Sequence, residues 1–192
     1  MLAAIARLRR EEFLSPDLHR QAYIDESLDI ACGQRISQPS IVAVMTDALA
    51  LAPTDRVLEI GTGSGFQAAV LAQLAMRVYS IEVLPDLADR ARRLLARLRL
   101  DNVTILSGDG RLGWPEAAPF EAILLTCATP KVPPALFEQL GPGGRLIAPI
   151  GPIGLAAGPQ VLTVFRKDAG GALGQQRLLS VRFVPIIARQ RA

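Results

Sequence analysis

The chain has 192 residues, a length typical of one domain that buries a full hydrophobic core. Hydrophobic residues make up 50% of it and charged residues 20%, a composition that excludes an intrinsically disordered chain. The 21 basic and 18 acidic residues give a net charge of +3, too small a bias to indicate a nucleic-acid-binding protein. We therefore predict a globular protein without a nucleic-acid partner.

Cysteine usage and hydropathy exclude further classes of protein. Cys32 and Cys127 are too few for a disulfide framework, and with His19 as the sole histidine they lack the spacing of metal ligands, so we predict two buried thiols and no metal. The first ten residues are too basic for a signal peptide. Residues 146–165 carry no charge, but their prolines and glycines predict two strands joined by a loop rather than a membrane span. We expect a cytoplasmic protein without a membrane partner.

Hydrophobic spacing along the chain alternates between helical and strand periods. In chain order, the predicted elements are a helix at 38–51, a strand at 57–60, a glycine turn at 61–65, a helix at 66–76, a strand at 78–82, a helix at 86–98, strands at 103–106 and 122–126, a helix at 134–140, and strands at 145–149, 160–166 and 177–185. The first forty residues do not follow this rhythm. We expect them to form a cap of short helices and a loop.

The alternation predicts an α/β fold with a doubly wound, mostly parallel, seven-stranded sheet of the Rossmann-like kind. We expect a single domain with a cap at residues 1–37, a cofactor-binding core at 38–150 and C-terminal strands at 151–192. Such sheets bind ligands outside the carboxyl ends of their strands. The glycine turn, Glu82 and Asp109 each follow a predicted strand, so we expect them around one crevice.

The glycine turn favours a nucleoside over a dinucleotide as the ligand. It follows a strand and contains Glu59, Ile60, Gly61, Thr62, Gly63, Ser64 and Gly65. Glycines permit a tight turn and a close approach of a ligand to the backbone. A dinucleotide site requires Gly or Ala where Phe66 stands, whereas Glu59 suits a carboxylate that meets a cationic group. Taken alone, the motif is also compatible with a purely structural turn.

Two further acidic residues point to the same kind of ligand. Glu82 ends the second strand of the core, where a carboxylate commonly accepts hydrogen bonds from both ribose hydroxyls. Asp109, between Gly108 and Gly110, is placed to meet an adenine amino group. A surface acid and an Asx turn are the respective structural alternatives. Together the three features predict S-adenosylmethionine, a nucleoside with a cationic sulfonium and no phosphates.

Ser37 precedes the first predicted core helix. Pro39 stands at the start of that helix, so Ser37 has a structural explanation as its N-cap. A functional role for Ser37 comes from a family resemblance.

The chain resembles the protein-L-isoaspartate O-methyltransferase family over residues 2–186. The matching motifs occur in order, and those at Ser37 and at the last strand are specific to the family. They are Tyr23-Ile24-Asp25, Gly33-Gln34, Ile36-Ser37-Gln38-Pro39, residues 57–66, Gly108-Asp109-Gly110 with Gly113-Trp114, Ala118-Pro119-Phe120, Gln139-Leu140 with Gly143-Gly144-Arg145-Leu146, and Val181-Arg182-Phe183-Val184-Pro185.

The resemblance implies repair of aged proteins. Family members methylate the free α-carboxylate of an L-isoaspartyl residue, and the ester then collapses to a succinimide that hydrolyses in part to normal aspartate. By this match Ser37 is the active-site serine. The implied cofactor residues are Ile36, Gln38, Pro39, Ser40, Glu59, Gly61, Thr62, Gly63, Ser64, Gly65, Glu82, Asp109 and Gly110. The implied substrate residues are Val181, Arg182, Phe183 and Val184.

Several positions depart from the family pattern. Arg35 stands where a Thr is usual, Ser40 where a bulkier residue is common, and Glu121 and Thr129 replace the commoner Asp and Ala. Family members also tend to begin earlier, with a helix that helps to form the cap, and Met1 falls inside that region. For Arg35 we predict a bidentate pair with the substrate carboxylate, the alternative being an outward orientation.

Two alternatives to protein repair stay open at this point. One is a methyltransferase of the same fold that acts on a small molecule, and the other is a cofactor-binding homologue without catalysis. We predict a monomer that binds isoaspartyl peptides and S-adenosylmethionine and releases S-adenosylhomocysteine.

Overall fold

The computed structural model describes residues 1–154 and 158–188. The helices are α1 (Leu2–Ala6), α2 (Pro39–Ala48), α3 (Phe66–Ala72), α4 (Pro85–Arg97) and α5 (Pro134–Gln139). The strands are β1 (Leu28–Asp29), β2 (Arg35–Ile36), β3 (Arg56–Ile60), β4 (Arg77–Glu82), β5 (Val103–Ser107), β6 (Phe120–Leu125), β7 (Leu140–Ile150), β8 (Gln160–Lys167) and β9 (Leu173–Val181).

Seven strands form one sheet in the order β5-β4-β3-β6-β7-β8-β9. The pairs among β5, β4, β3, β6 and β7 are parallel, whereas β7–β8 and β8–β9 are antiparallel. The predicted doubly wound, mostly parallel sheet is therefore confirmed. The strand order reverses between β3 and β6, which places the expected ligand crevice at the carboxyl ends of β3, β4 and β6.

Helices cover both faces of the sheet, because the central strands are apolar on both sides. Leu58 and Ile60 of β3 pack with Ile123 and Leu125 of β6 on one face. Val57 packs on the opposite face, in a cluster with Ala122, Leu124, Met45 and Leu71. Successive strand residues point to opposite faces, so this continuous apolar sequence fills both cores.

The first 38 residues pack as a cap on α3 and α4. They contain α1, short 3-10 turns and the antiparallel β1–β2 hairpin. Phe13, Leu28 and Ile36 bury their side chains against Phe66 and Leu95. The cap thereby covers the beginning of α3, directly after the glycine turn.

The C-terminal segment leaves the sheet earlier than the sequence predicts. β9 ends at Val181, not at 185, and the residues after it cross to the end of β6. There Ala128 N donates to Val184 O at 2.7 Å, and Ile186 N donates to Ala128 O at 2.8 Å. Pro185 has no N–H to continue a ladder, which favours the exit. The departure carries residues 182–187 over the crevice.

The sequence also led to expectations for the two cysteines, for the loop between β7 and β8 and for membrane spans. Cys127 is buried, as predicted. The prediction of a buried Cys32 is wrong, because Cys32 is exposed and has a left-handed φ of 60°. Residues 155–157, within the predicted loop between β7 and β8, lie outside the described residues. Across 1–154 and 158–188, no helix is long and apolar enough to span a bilayer.

Candidate active site

Two clefts adjoin at the carboxyl end of the sheet. The first has a volume of about 780 Å³ and is lined by the glycine turn, the end of β4 and residues 184–187. The second, of about 1130 Å³, is lined by residues 179–184 and part of the cap. Four residues line both clefts: Arg35, Ser37, Thr126 and Val184. A ligand in each would therefore meet at this shared wall.

The glycine turn can approach a ligand closely because its backbone adopts conformations that side chains disfavour. Gly61, Gly63 and Gly65 have φ values of 97°, 55° and 86°. A Cβ at Gly61 would collide with the hydroxyl of Thr126, which donates to Gly61 O at 2.5 Å and lies 3.0 Å from Ile60 O. Gly61, Thr62, Gly63 and Ser64 line the first cleft, whereas Gly65 starts α3 outside it.

Glu82 joins the glycine turn to the end of β4. Its Oε2 accepts from Gly63 N at 2.8 Å, and its Oε1 accepts from Leu84 N at 3.0 Å. The side chain lines the first cleft although the residue is only 5% exposed. Each carboxylate oxygen keeps a second lone pair, so the group can still accept from ligand hydroxyls.

Glu59 does not reach the first cleft, contrary to the expectation that it meets a cationic group. It is fully buried below the turn, where Ser80 Oγ donates to its Oε2. Ser80 Oγ in turn lies 2.6 Å from Thr62 Oγ1, so Glu59 touches the cleft only through two hydroxyls. Burial raises the pKa of Glu59 to about 8, and its Oε1 has no hydrogen-bond partner in the described residues. The carboxyl is therefore mostly neutral at pH 7.

Asp109 takes the structural role that the sequence left open. Its Oδ1 accepts from Arg111 N at 3.0 Å, which is an Asx-type turn, and its Oδ2 lies 2.7 Å from the Arg111 guanidinium. Asp109 is not part of the cleft lining, but Gly110 is. A Cβ at Gly110 would collide with Ile60, so this position requires glycine for a close approach.

Ser37 is not the N-cap of α2, so that structural alternative is wrong. The helix begins at Pro39 with Gln38 as N-cap, and Asp25 Oδ1 accepts from Ser40 N at 2.8 Å instead. Ser37 therefore does not cap the helix, and it lies half-buried on the wall between the two clefts.

The neighbours of Ser37 are divided between the two clefts. Ile36 lines the first and Gln38 the second, while Pro39 and Ser40 line neither. The last two are the first residues of α2.

Arg35 is held by its own hairpin, in contrast to the predicted pairing with a substrate carboxylate. Its Nη1 lies 2.7 Å from Asp29 Oδ1, and its Nε and Nη2 donate to Ser27 Oγ and Ser27 O at 3.0 and 2.6 Å. Asp29 and Arg35 are direct partners across the β1–β2 pair. The residue lines both clefts, but its donors are directed to the hairpin.

The predicted substrate segment lies along the second cleft. Val181, Arg182, Phe183 and Val184 all line that cleft. Phe183 N donates to Gln160 Oε1 at 3.0 Å, which fixes the segment after it leaves β9. Its role toward a substrate stays a prediction.

Sequence reasoning missed Thr126, which lines both clefts. It appeared only as the last residue of a predicted strand, and the signal that could have found it is its polarity after the apolar run of β6. Ser27, Leu84 and Ile187 were missed as well, since they come from loops without a motif. Within the described residues, no cluster of His, Cys, Asp or Glu has the make-up of a metal site.

Comparison with known proteins identifies the class and then the family. A sheet of this order with a glycine turn after its first core strand is the fold of class I methyltransferases. The model of the protein-L-isoaspartate(D-aspartate) O-methyltransferase family matches residues 1–191. The chain belongs to this family, which confirms the resemblance seen in its motifs.

Individual relatives agree with this assignment. A protein-L-isoaspartate O-methyltransferase from Anaeromyxobacter dehalogenans is 54% identical over 97% of this chain and 88% of its own length. A solved structure of the same name is 33% identical with a TM-score of 0.84, and it is matched over 97% of this chain but 62% of its own. A Plasmodium falciparum structure in complex with S-adenosyl-L-homocysteine, at 24% identity and a TM-score of 0.75, supports the fold alone.

Proposed function

We propose that this protein transfers a methyl group from S-adenosylmethionine to the free carboxylate of L-isoaspartyl residues in damaged proteins. The observation that carries the proposal is the position of Ser37, on the wall shared by two clefts, in a chain that belongs to the family. One cleft serves the cofactor and the other the peptide. Methylation of this carboxylate is the enzymatic step of the repair.

The first cleft fits the cofactor. Glu82 offers a carboxylate for ribose hydroxyls, and Ile60, Ile81 and Phe66 provide apolar walls for an adenine ring. When bound, S-adenosylmethionine supplies a methyl group on a cationic sulfonium and leaves as the neutral thioether S-adenosylhomocysteine.

The residues assigned to the cofactor are those of the first cleft. We assign Ile36, Gly61, Thr62, Gly63, Ser64, Glu82 and Gly110 to direct contact. The resemblance also implied six residues that do not line this cleft, and we assign them to support of the site without direct contact with the cofactor. They are Gln38, Pro39, Ser40, Glu59, Gly65 and Asp109.

The reaction requires positioning more than acid–base catalysis. A carboxylate is already ionised at pH 7, so the chain needs no general base to create the nucleophile. We assign the Ser37 hydroxyl as the donor of a hydrogen bond to one carboxylate oxygen, which would orient the other oxygen toward the first cleft. Residues 181–184 hold the peptide on the opposite side. A monomer in the cytoplasm with no nucleic-acid partner remains the prediction from the sequence.

A competition assay tests the proposed function. An isoaspartyl peptide and the aspartyl peptide of the same sequence are mixed with the enzyme and methyl-labelled S-adenosylmethionine, and each product is quantified by mass. We expect the label on the isoaspartyl peptide alone. In a parallel reaction with added small-metabolite extract, label on metabolites but on neither peptide would support the small-molecule alternative. Binding of S-adenosylhomocysteine without any transfer would support an inactive homologue.

A further inference from the structure

Arg10 is a buried cation that forms no direct ion pair in the described residues. It belongs to the short 3-10 turn Arg10–Phe13 of the cap, and only 2% of the residue is exposed. Among the described residues its guanidinium forms no ion pair, and its Nη1 has no hydrogen-bond partner. Burial lowers the pKa of Arg10 to about 10, although the negative charge of Asp25 acts to raise this pKa, so the group is still charged at pH 7. Burying a charge without a direct ion pair costs free energy of desolvation, so we looked for a role of Arg10 in the site.

The guanidinium connects the cap to the Ser37 segment. Its Nε donates to Ala22 O at 2.7 Å, and its Nη2 donates to Ser37 O at 2.8 Å. Both acceptors are main-chain carbonyls, so the contact fixes the backbone of Ser37 and not its hydroxyl. The hydroxyl is left available to face the two clefts.

The same guanidinium also contacts a side chain that lines the first cleft. It lies over the ring of Phe66, with the Arg10 Cζ 5.0 Å from the ring centroid. Phe66 is the first residue after the glycine turn and lines the first cleft. A planar cation that stacks on an aromatic ring while donating two hydrogen bonds is a task for arginine that lysine cannot perform.

We propose that Arg10 is a positioning residue of this site. It fixes the backbone of Ser37 relative to the glycine turn and so keeps the Ser37 side chain on the wall shared by the two clefts. Asp25 holds the other end of the segment through Ser40 N, at 2.8 Å. The expected effect of Arg10 on kcat rests on the proposed function, whereas its expected effect on the order of residues 36–40 does not.

A double-mutant cycle tests the kinetic consequence. If Arg10 acts through Ser37, Arg10→Lys should lower the kcat for an isoaspartyl peptide by about 10- to 100-fold, as expected for a small misplacement of a reacting group. In a Ser37→Ala background the same substitution should change kcat by less than about threefold. An equal loss in both backgrounds would overturn the proposal, because it would show a general effect on the fold. Arg9→Met is the matched control, since Arg9 is exposed and should leave kcat unchanged.

Hydrogen exchange tests the ordering without any turnover. In Arg10→Lys the amides of Ile36, Ser37, Gln38 and Ser40 should exchange faster than in the wild type, while those of β3 should not. Equal exchange at 36–40 would contradict the proposal even if kcat falls, and faster exchange throughout β3 as well would show global destabilisation and contradict it too. If the wild type methylates no isoaspartyl peptide, the proposed function fails and the exchange result alone decides on Arg10. Arg10→Met, measured by exchange in the same way, replaces Arg10→Lys if that variant does not fold.

Discussion

Glu59 and Glu82 lie near the carboxyl ends of neighbouring strands, yet the structure gives their carboxyl groups opposite environments. Glu82 accepts two backbone hydrogen bonds and lines the first cleft. Glu59 is enclosed below the glycine turn beside a serine hydroxyl. We therefore expect Glu82 to act on ligand binding and Glu59 to act on stability, and two predictions separate these effects.

Replacing Glu82 should weaken cofactor binding. Glu82→Ala removes the acceptor for the ribose hydroxyls, so the affinity for S-adenosylhomocysteine should fall by roughly 1–3 kcal/mol. Titration calorimetry measures this directly, with Glu138→Ala on the exposed face of α5 as control. Unchanged affinity in Glu82→Ala would remove the ribose assignment.

Replacing Glu59 should change how stability depends on pH. The pKa of Glu59 rises from 4.5 in the unfolded chain to about 8 in the folded protein because the group is buried. Between these values the unfolded state loses the proton while the folded state keeps it, so stability falls as pH rises, by about 1 kcal/mol per pH unit from this group. Glu59→Gln should remove this contribution.

Urea unfolding of both proteins between about pH 5 and pH 10 measures the difference. Contributions of other groups cancel in the comparison of wild type and variant. The advantage of Glu59→Gln over the wild type should therefore grow with pH and level off above the folded pKa. Parallel pH profiles would mean that Glu59 is ionised in the folded protein.

At the scale of elements, the side chains that the sequence misplaced are those fixed by strand register. Glu59 lies opposite Ser80 across β3–β4, and Arg35 lies opposite Asp29 across β1–β2. Hydrophobic spacing predicts where a strand is but not which residue it faces on its neighbour. Glu82, by contrast, was predictable because its position follows from the end of a strand alone, whereas the family motif indicated residues 181–184 without indicating where they leave the sheet.

The hairpin predicts a small effect of Arg35 on catalysis. Its guanidinium is committed to Asp29 and Ser27, so Arg35→Thr should change the KM for an isoaspartyl peptide by less than about threefold. The exposed ion pair should contribute less than about 1 kcal/mol to stability. Steady-state kinetics at low and high salt check this. A large rise in KM that disappears at high salt would restore the pairing predicted from the sequence.

Alanine in place of Gly61 should produce a steric clash, whereas alanine in place of Gly143 should not. Gly61 and Gly143 both have positive φ, at 97° and 71°, but only a Cβ at Gly61 meets another atom, the Thr126 hydroxyl. Gly143→Ala should cost about 1–2 kcal/mol from its backbone conformation alone. Gly61→Ala should cost more and should abolish S-adenosylhomocysteine binding.

Melting curves and calorimetry compare the two glycine variants. Thr126→Ala removes the hydroxyl, so adding it to Gly61→Ala should recover part of the lost stability. Equal stability losses in Gly61→Ala and Gly143→Ala, without recovery by Thr126→Ala, would contradict this close approach.

At the scale of the whole molecule, the sheet was predictable and the junction of the two clefts was not. Alternating strand and helix signals determine a doubly wound sheet, and its strand order locates the first cleft. The junction depends on contacts far apart in sequence: the cap carries Ser37, and the chain after β9 returns to Ala128. Neither the exit at Val181 nor the buried Arg10 has a local sequence signal, because both are determined by packing.

The central claim is that the Ser37 junction serves the repair of isoaspartyl residues. Its most direct test follows an isoaspartyl peptide by chromatography during prolonged incubation with S-adenosylmethionine and either the wild type or Ser37→Ala. The account predicts that the wild type converts the isoaspartyl peptide progressively to the aspartyl form through a succinimide, and that folded Ser37→Ala does so far more slowly. An isoaspartyl peptide that persists with the wild type, or equal conversion by both proteins, would contradict it.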